Sequence, residues 1–316
     1  MKLHLFTVDA FTDLPFCGNP AAVVLLSQVV EEHKLQKLAK ELNLSETAYV
    51  KPLVSTAEDP WVHCSRFTLR WFTPTTEVPL CGHATLATAH VLFHSLGNTS
   101  HQLEFETQSG LLVARRDGHY IVLDFPANPP TPLTPSEETQ LASLLKVVSS
   151  GLQVEQLLLS RTTKKLLVRL HHSCTREQLE ALRLDSAAWM SLHDGSLVKG
   201  IIMTTRGNLE VTNNLQEAQK NPSEYHCLSR YFAPWNGIAE DPVTGSAHTV
   251  LGPHWSQELS ISKLRCRQCS PRGGDVLVTV RTDGRVDLSG QAVTIIQGHV
   301  TLYISVLTKI TYTGSN

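Results

Sequence analysis

Two short segments hold the residues best suited to chemistry, and each reads as a copy of the other. Arg70-Trp71-Phe72-Thr73-Pro74 precedes Glu77-Val78-Pro79-Leu80-Cys81-Gly82-His83-Ala84, and Arg230-Tyr231-Phe232-Ala233-Pro234 precedes Glu240-Asp241-Pro242-Val243-Thr244-Gly245-Ser246-Ala247. The spacers differ by three residues, which a loop absorbs at small entropic cost. In each copy a Pro two residues after the Glu keeps the approach extended, and the Gly lets the chain turn tightly into a helix. The first amides of such a helix lack internal partners and carry partial positive charge, so Gly82-His83 and Gly245-Ser246 are candidate anion sites. Two such starts facing one cleft would hold a carboxylate and stabilise charge that builds on it when a neighbouring carbon loses its proton. That chemistry needs a base. His83, Asp241 and Ser246 lie in the motifs, and Leu44-Ser45-Glu46-Thr47-Ala48 adds a carboxylate. Residue type leaves the choice open. A His at a helix start also caps or packs, an Asp before Pro also opens a turn, Ser246 also serves as a plain cap, and a loop Glu is commonly solvated.

The elements that must position these groups follow from hydrophobic period. Strands are expected at 3–9, 21–26, 47–51, 66–72, 102–106, 110–116 and 119–125, with a helix at 31–43. The stretch 83–96 leaves few polar faces and ends at Gly97, which predicts a largely buried central helix. Asp117-Gly118 and Asp283-Gly284 each separate apolar runs, as hairpins do. Pro126, Pro129, Pro130, Pro132 and Pro135 then break the strand pattern, giving lobes of 1–127 and 128–299, with 300–316 available to complete the first. The second lobe should hold helices near 136–149 and 175–191 and strands near 165–170, 198–205, 274–281, 286–289 and 292–296. Gly252-Pro253 falls inside the helix expected from 246, which predicts a kinked or short helix.

Composition narrows the function. With 316 residues, 41% of them hydrophobic and 18% charged, and a formal charge of −2, the chain reads as two globular lobes. It has neither the basic footprint of a nucleic-acid binder nor an apolar run long enough to span a membrane. A small-molecule ligand and a cytoplasmic setting are expected. Seven scattered cysteines suit reduced thiols, and Cys266-x-x-Cys269 lacks the second pair a structural zinc site uses.

Asp9-Ala10-Phe11-Thr12, Phe16-Cys17-Gly18-Asn19-Pro20-Ala21-Ala22-Val23, Asn43-Leu44-Ser45-Glu46-Thr47-Ala48 and the segment from Glu240 to Ala247 closely resemble the PhzF-type phenazine-biosynthesis-like isomerase family, from the first strand to about residue 300. The resemblance implies an α+β fold shared with diaminopimelate epimerase and proline racemase. In it two pseudo-symmetric lobes, each a curved sheet or barrel wrapped around a central helix, flank the active site. It also implies a homodimer and no cofactor or metal. In the family's phenazine enzyme the Glu of the S-E-T segment shuttles a proton between two carbons of a dihydro-hydroxyanthranilate, a role that carries over to Glu46. The His of G-H-A and the Asp and Ser of D-P-V-T-G-S carry over to His83, Asp241 and Ser246. Gly82, Gly245, Asn19 and Ser45 are then candidates for substrate binding, with Arg272-Gly273-Gly274 a further candidate for the cleft wall.

The expected activity is a cofactor-independent proton shift in a small carboxylate-bearing substrate. One rival is an epimerase or racemase of small amino or hydroxy acids, using Glu46 with Cys81 or His83 as opposed bases. The other is a binding or regulatory protein that retains the fold. Related racemases use two cysteines, but the second motif offers Thr244, Gly245 and Ser246 opposite Cys81. Cys81 is therefore expected to be a small buried residue.

Overall fold

A computed structural model of the protein describes residues 1–53, 59–149, 151–208 and 224–302. In the first half, Lys2–Ala10 is antiparallel to Asn19–Leu25, which runs parallel to Glu46–Pro52. Glu46–Pro52 is antiparallel to Arg66–Phe72, and Arg66–Phe72 is parallel to Gln102–Thr107. Gly110–Asp117 and Tyr120–Pro126 follow as antiparallel neighbours. The second half repeats this plan. Lys165–Leu170 is parallel to Gly200–Arg206, which is antiparallel to Cys227–Ala233. Cys227–Ala233 is parallel to Lys263–Gln268, and Gly274–Val280 and Arg285–Gly290 complete the series. Each half thus has parallel joints at corresponding places, as duplication of one unit requires.

The halves are joined where Arg285–Gly290 pairs with Tyr120–Pro126, Leu288 opposite Leu123. Ala292–Thr301 then returns to lie antiparallel to Lys2–Ala10, with Lys2 opposite Thr301. Residues 292–296, grouped by sequence with the second half, therefore start this returning strand. The expected run beyond 302 lies outside the described residues. The strands Val154–Ser160, Cys227–Ala233 and Lys263–Gln268 escaped the sequence pattern, and the helical stretch 175–191 is two helices, Arg176–Ala181 and Ser186–Leu192.

The repeated letters have a physical meaning. Arg70 grips Glu77 at two points, 2.6 and 2.7 Å, and Arg230 grips Glu240 at 2.7 and 2.7 Å. Each guanidinium also lies over the Phe two residues on, 5.1 Å from the Phe72 ring and 5.0 Å from that of Phe232. The pair closes the hairpin that delivers the chain to its central helix. The longer second spacer forms the 3₁₀ turn Pro234–Asn236, which ends at Gly237 with φ +78°.

The first central helix, Gly82–His90, buries seven residues and continues as a π-helical turn, Val91–Ser95. It tolerates burial because Thr85 and Thr88 return their hydroxyls to the carbonyls of Cys81 and Ala84. The second, Gly245–Leu259, is longer, which corrects the expectation of a short helix at Pro253. Pro253 frees the carbonyl of Thr249, four residues earlier, and the Asn128 amide donates to it at 2.9 Å. One apolar core takes in both helices, from Leu86 and Leu92 to Val250 and Leu251.

Candidate active site

The two central helices start against each other. A Cβ built on Gly82 or on Gly245 would meet the other's Cα at 3.5 Å. Neither glycine has positive φ, and a Cβ on either would make only ordinary van der Waals contact, so the tight turn expected from sequence is not what places glycine here. Both helix starts line a cavity of about 540 Å³, together with Glu46, Cys81, His83, Lys165, Asp241 and Ser246 and an apolar wall that includes Val78, Leu80, Tyr231 and Ile238. The leading amides of both helices have no intrahelical partner.

Glu46 opens the strand Glu46–Pro52 and is only 7% exposed. Burial pushes its carboxyl up to about 8, and the charge of Asp241 adds in the same direction. Its Oε2 lies 3.2 Å from His83 Nε2. The two are not aligned as a hydrogen bond, and among the described residues neither atom has another partner. A carboxyl oxygen and a ring nitrogen thus face each other, both buried and without a hydrogen-bond partner, on residues that line the cavity.

The state of His83 follows from its far side. Asn19 Nδ2 donates to Asp241 Oδ1 at 2.7 Å and to the Val243 carbonyl at 2.8 Å, which fixes the amide's orientation. That same NH₂ group faces His83 Nδ1 at 3.2 Å. Both hydrogens of that amide are taken by Asp241 and Val243, and an amide nitrogen is no acceptor, so a proton on Nδ1 would find no acceptor there and the ring proton is assigned to Nε2, toward Glu46. Burial lowers the imidazole to about 3, so His83 is a neutral donor at physiological pH.

Asp241 ends the strand Ile238–Asp241. Thr244 Oγ1 donates to its Oδ2 at 2.5 Å, and Asn19 holds its Oδ1. Burial raises it to about 6 against those two hydrogen bonds, which leaves it mainly charged at neutral pH. The turn that follows is braced by Gln268, whose side chain donates to the Asp241 carbonyl at 2.7 Å and accepts from the Thr244 amide at 2.9 Å. Cys81 Sγ lies 3.5 Å from His83 Nδ1, and burial, then the Glu46 charge, pushes its thiol well above the ordinary range.

Glu46, His83, Asp241, Ser246, Gly82 and Gly245 therefore meet in one cavity. Asn19 and Ser45 do not line it. Asn19 is fully buried and ties His83 to Asp241, while the Ser45 hydroxyl is 3.3 Å from Asn19 Oδ1. Arg272 is also elsewhere, pairing with Asp9 at 2.7 Å and donating to the carbonyls of Gly18 and Cys17. It anchors the loop before Asn19. Cys266 lies opposite Cys227 in a parallel ladder, with Cys269 buried nearby. Lys165 and Tyr231 also line the cavity, although a Lys opening a strand and an aromatic within one read locally as surface charge and core. Glu46, Cys81 and His83 each bring one potential donor atom within 4.8 Å of the others, a spacing that could hold a cation as well as pass a proton.

Among the described residues no helix is long and apolar enough to cross a membrane. The family profile described as "Phenazine biosynthesis-like protein" matches residues 8–298. The chain is 47% identical over 301 residues to phenazine biosynthesis-like domain-containing protein 1 of Mus musculus, covering 95% of this chain and all of that one. It is 40% identical over 302 residues to a Pseudomonas aeruginosa protein named an uncharacterized isomerase, covering 96% and 100%. The crystal structure of a PhzF-family protein from Enterococcus faecalis superimposes with a TM-score of 0.76 at 34% identity, covering 96% of this chain and all of that one. A hydroxyproline epimerase from Agrobacterium vitis shares the fold at a TM-score of 0.53 and 10% identity, covering 95% and 92%. With its duplicated halves, paired helix starts and end-to-end match, the chain belongs to the PhzF-type phenazine biosynthesis-like family.

Proposed function

We propose that this protein is a cofactor-independent isomerase that moves a proton between carbons of a small carboxylate-bearing substrate, with Glu46 as the shuttle. The observation that carries the reading is the Glu46 carboxyl itself: buried in the cavity wall, pushed up to about 8 by that burial, with an oxygen that has no hydrogen-bond partner 3.2 Å from His83 Nε2. A general base that must later act as an acid works best with a pKa near the working pH. In its ionised form Glu46 takes the proton from a carbon adjacent to an unsaturated or carboxylate-bearing centre. The C–H electron pair moves into that conjugated system, and the amides at Gly82-His83 and Gly245-Ser246 stabilise the charge. The Nε2–H of His83 donates to an oxygen that gains charge. Glu46, now the acid, gives its proton to a second carbon and is regenerated.

Opposed-base epimerisation fits less well. Two bases that flank one carbon, each about 3–3.5 Å from it, stand roughly 6–7 Å apart, whereas Glu46, Cys81 and His83 lie within 4.8 Å of one another. The test incubates wild type and Glu46→Gln with a metabolite extract in D₂O and reads deuterated species by mass spectrometry. Labelling at a second carbon by wild type alone supports the shuttle. Labelling only at a carbon whose configuration inverts supports an epimerase. If neither protein labels anything while both recover the same stoichiometric partner, the enzymatic reading fails.

A further inference from the structure

Among the described residues Lys165 is a buried cation without a counter-ion. It is 7% exposed and lines the cavity with Glu46 and Asp241. The other buried cationic side chains have carboxylates at hand: Arg230 holds Glu240 at 2.7 Å, and Arg265 lies 3.5 Å from Asp275. Among the described residues Lys165 has no carboxylate in ion-pair range, and its contact is the face of the Tyr231 ring, 5.8 Å away. Asp241 is near enough to feel its charge, but both Asp241 oxygens are held by Asn19 and Thr244.

This shelf is built. Lys165 sits opposite Gly200 in the ladder, and a Cβ on Gly200 would meet the Tyr231 hydroxyl at 2.2 Å. Gly200 thus gives Tyr231 the room to lie under the ammonium. Leaving a buried charge unpaired is unfavourable, so a strand that carries one into a cavity is matched to an anion arriving from solvent.

We propose that Lys165 is the cation that pairs with the carboxylate of the substrate, the helix-start amides completing the clamp. The identity of the site as a carboxylate site rests on the isomerase reading above. A compact ammonium with three donors accepts a carboxylate from several directions, and it stabilises that group further as negative charge grows on it during proton removal. The apolar remainder of the wall, with Val78, Leu80, Ile238 and Tyr231, suits a substrate with a ring or branched body. Lys165 is therefore assigned as a specificity residue.

The test is calorimetric titration of benzoate, its neutral isostere benzamide, and inorganic phosphate into wild type, Lys165→Met and Glu46→Gln, with folding checked by circular dichroism. Wild type should bind benzoate and not benzamide, with phosphate weaker, and Lys165→Met should lose at least tenfold while remaining folded. The groups facing Lys165 are Asp241, Glu46, His83, Cys81 and the Tyr231 ring. Burial lowers the Lys165 ammonium to about 8, so in the Glu46→Gln background only Lys165 among them loses charge between pH 7 and 9.5, and benzoate affinity should fall at least tenfold there and stay level when Lys165→Met is combined with Glu46→Gln. Benzoate binding by Lys165→Met within twofold of wild type, equal binding of benzamide, absence of benzoate binding by wild type, or tighter binding of phosphate would each overturn the assignment. The two proposals fail separately: deuterium labelling retained by Glu46→Gln sinks the shuttle, and benzoate binding retained by Lys165→Met sinks the clamp.

Discussion

Replacing Glu46 by Gln should make the protein more stable, by an amount that depends on pH. In the folded chain the Glu46 carboxyl keeps its proton up to about 8, whereas unfolded it ionises near 4.5. Between those values the folded state binds a proton that the unfolded state has released. The stabilising effect of that proton is complete below 4.5 and is lost as pH rises through 8. Gln has no such proton and does not suffer the loss. The stability gap between variant and wild type should therefore grow by about 1.36 kcal/mol per pH, to about 3 kcal/mol at pH 7 and at most about 5 kcal/mol above pH 8. Relaxation of the cleft and water entry would reduce these figures, but not the slope's sign. Urea unfolding at pH 6, 7, 8 and 9 measures the gap directly. A gap that stays level across that range would mean an ordinary, solvated carboxyl, and the case for Glu46 as a base tuned by burial would collapse. A large, pH-dependent gap together with lost deuterium labelling would tie the same desolvation to both instability and chemistry.

The duplicated Arg–Glu pairs should differ in weight: Arg230 is 5% and Arg70 34% exposed, so Arg230→Met should cost about 3–5 kcal/mol and Arg70→Met about 1 or less. Equal urea midpoints would contradict the role given to burial. Five histidines, His83 at about 3 and His90, His226, His248 and His254 at about 4, are held neutral by burial. The unfolded chain takes up these protons first, so their stabilising effect is present above 6.5 and lost as pH falls toward 4. Circular dichroism should show acid unfolding between pH 6 and 4 with uptake of several protons, and a chain still fully folded at pH 4 would refute this. Gly252→Ala, which in an exposed helix would gain about 1 kcal/mol, should instead cost about 1–3 kcal/mol, because the new methyl meets Val278 Cγ1 at 2.7 Å. A rise in melting temperature would show that the stiff valine yields.

The parts of the site that could be read from sequence were those carried by local pattern. The Gly-led helix starts appear twice in the same frame, and Glu46 stands where a helix ends and a strand begins. What escaped reading depends on distant partners. Asn19 is a candidate for the cleft that local sequence does not separate from turn structure, and its amide is claimed by Asp241 and Val243, 222 and 224 residues away. Pro253 resembled a helix breaker because the donor that rescues Thr249 comes from Asn128, 121 residues upstream. The strand Cys227–Ala233 is buried at every position, so it shows no alternation to read. Lys165 is the sharpest case. After Lys164 it looks like a second solvated charge, and its burial exists only because Gly200–Arg206 and Cys227–Ala233 place Gly200 and Tyr231 beside it.

Duplication explains why the site needs both halves. Each half supplies a helix start, but the groups around the two starts have diverged in opposite senses. The first brings Glu46, His83 and Cys81, all held without charge at neutral pH by burial; the second brings Asp241 and Lys165, which are mainly charged there. Asn19 couples the two sets, since the same amide that satisfies Asp241 also sets the tautomer of His83. Under the proposed function the two sets are a neutral proton-transfer pair on one side and a charged binding pair on the other, a division of labour that a single unit, or a symmetric pair, would not supply. On this view the glycines at 82 and 245 are where the two roles are brought into register. Their backbones lie close together, so a carboxylate held by the second half, as proposed, would be presented to the carboxyl that the first half keeps dry.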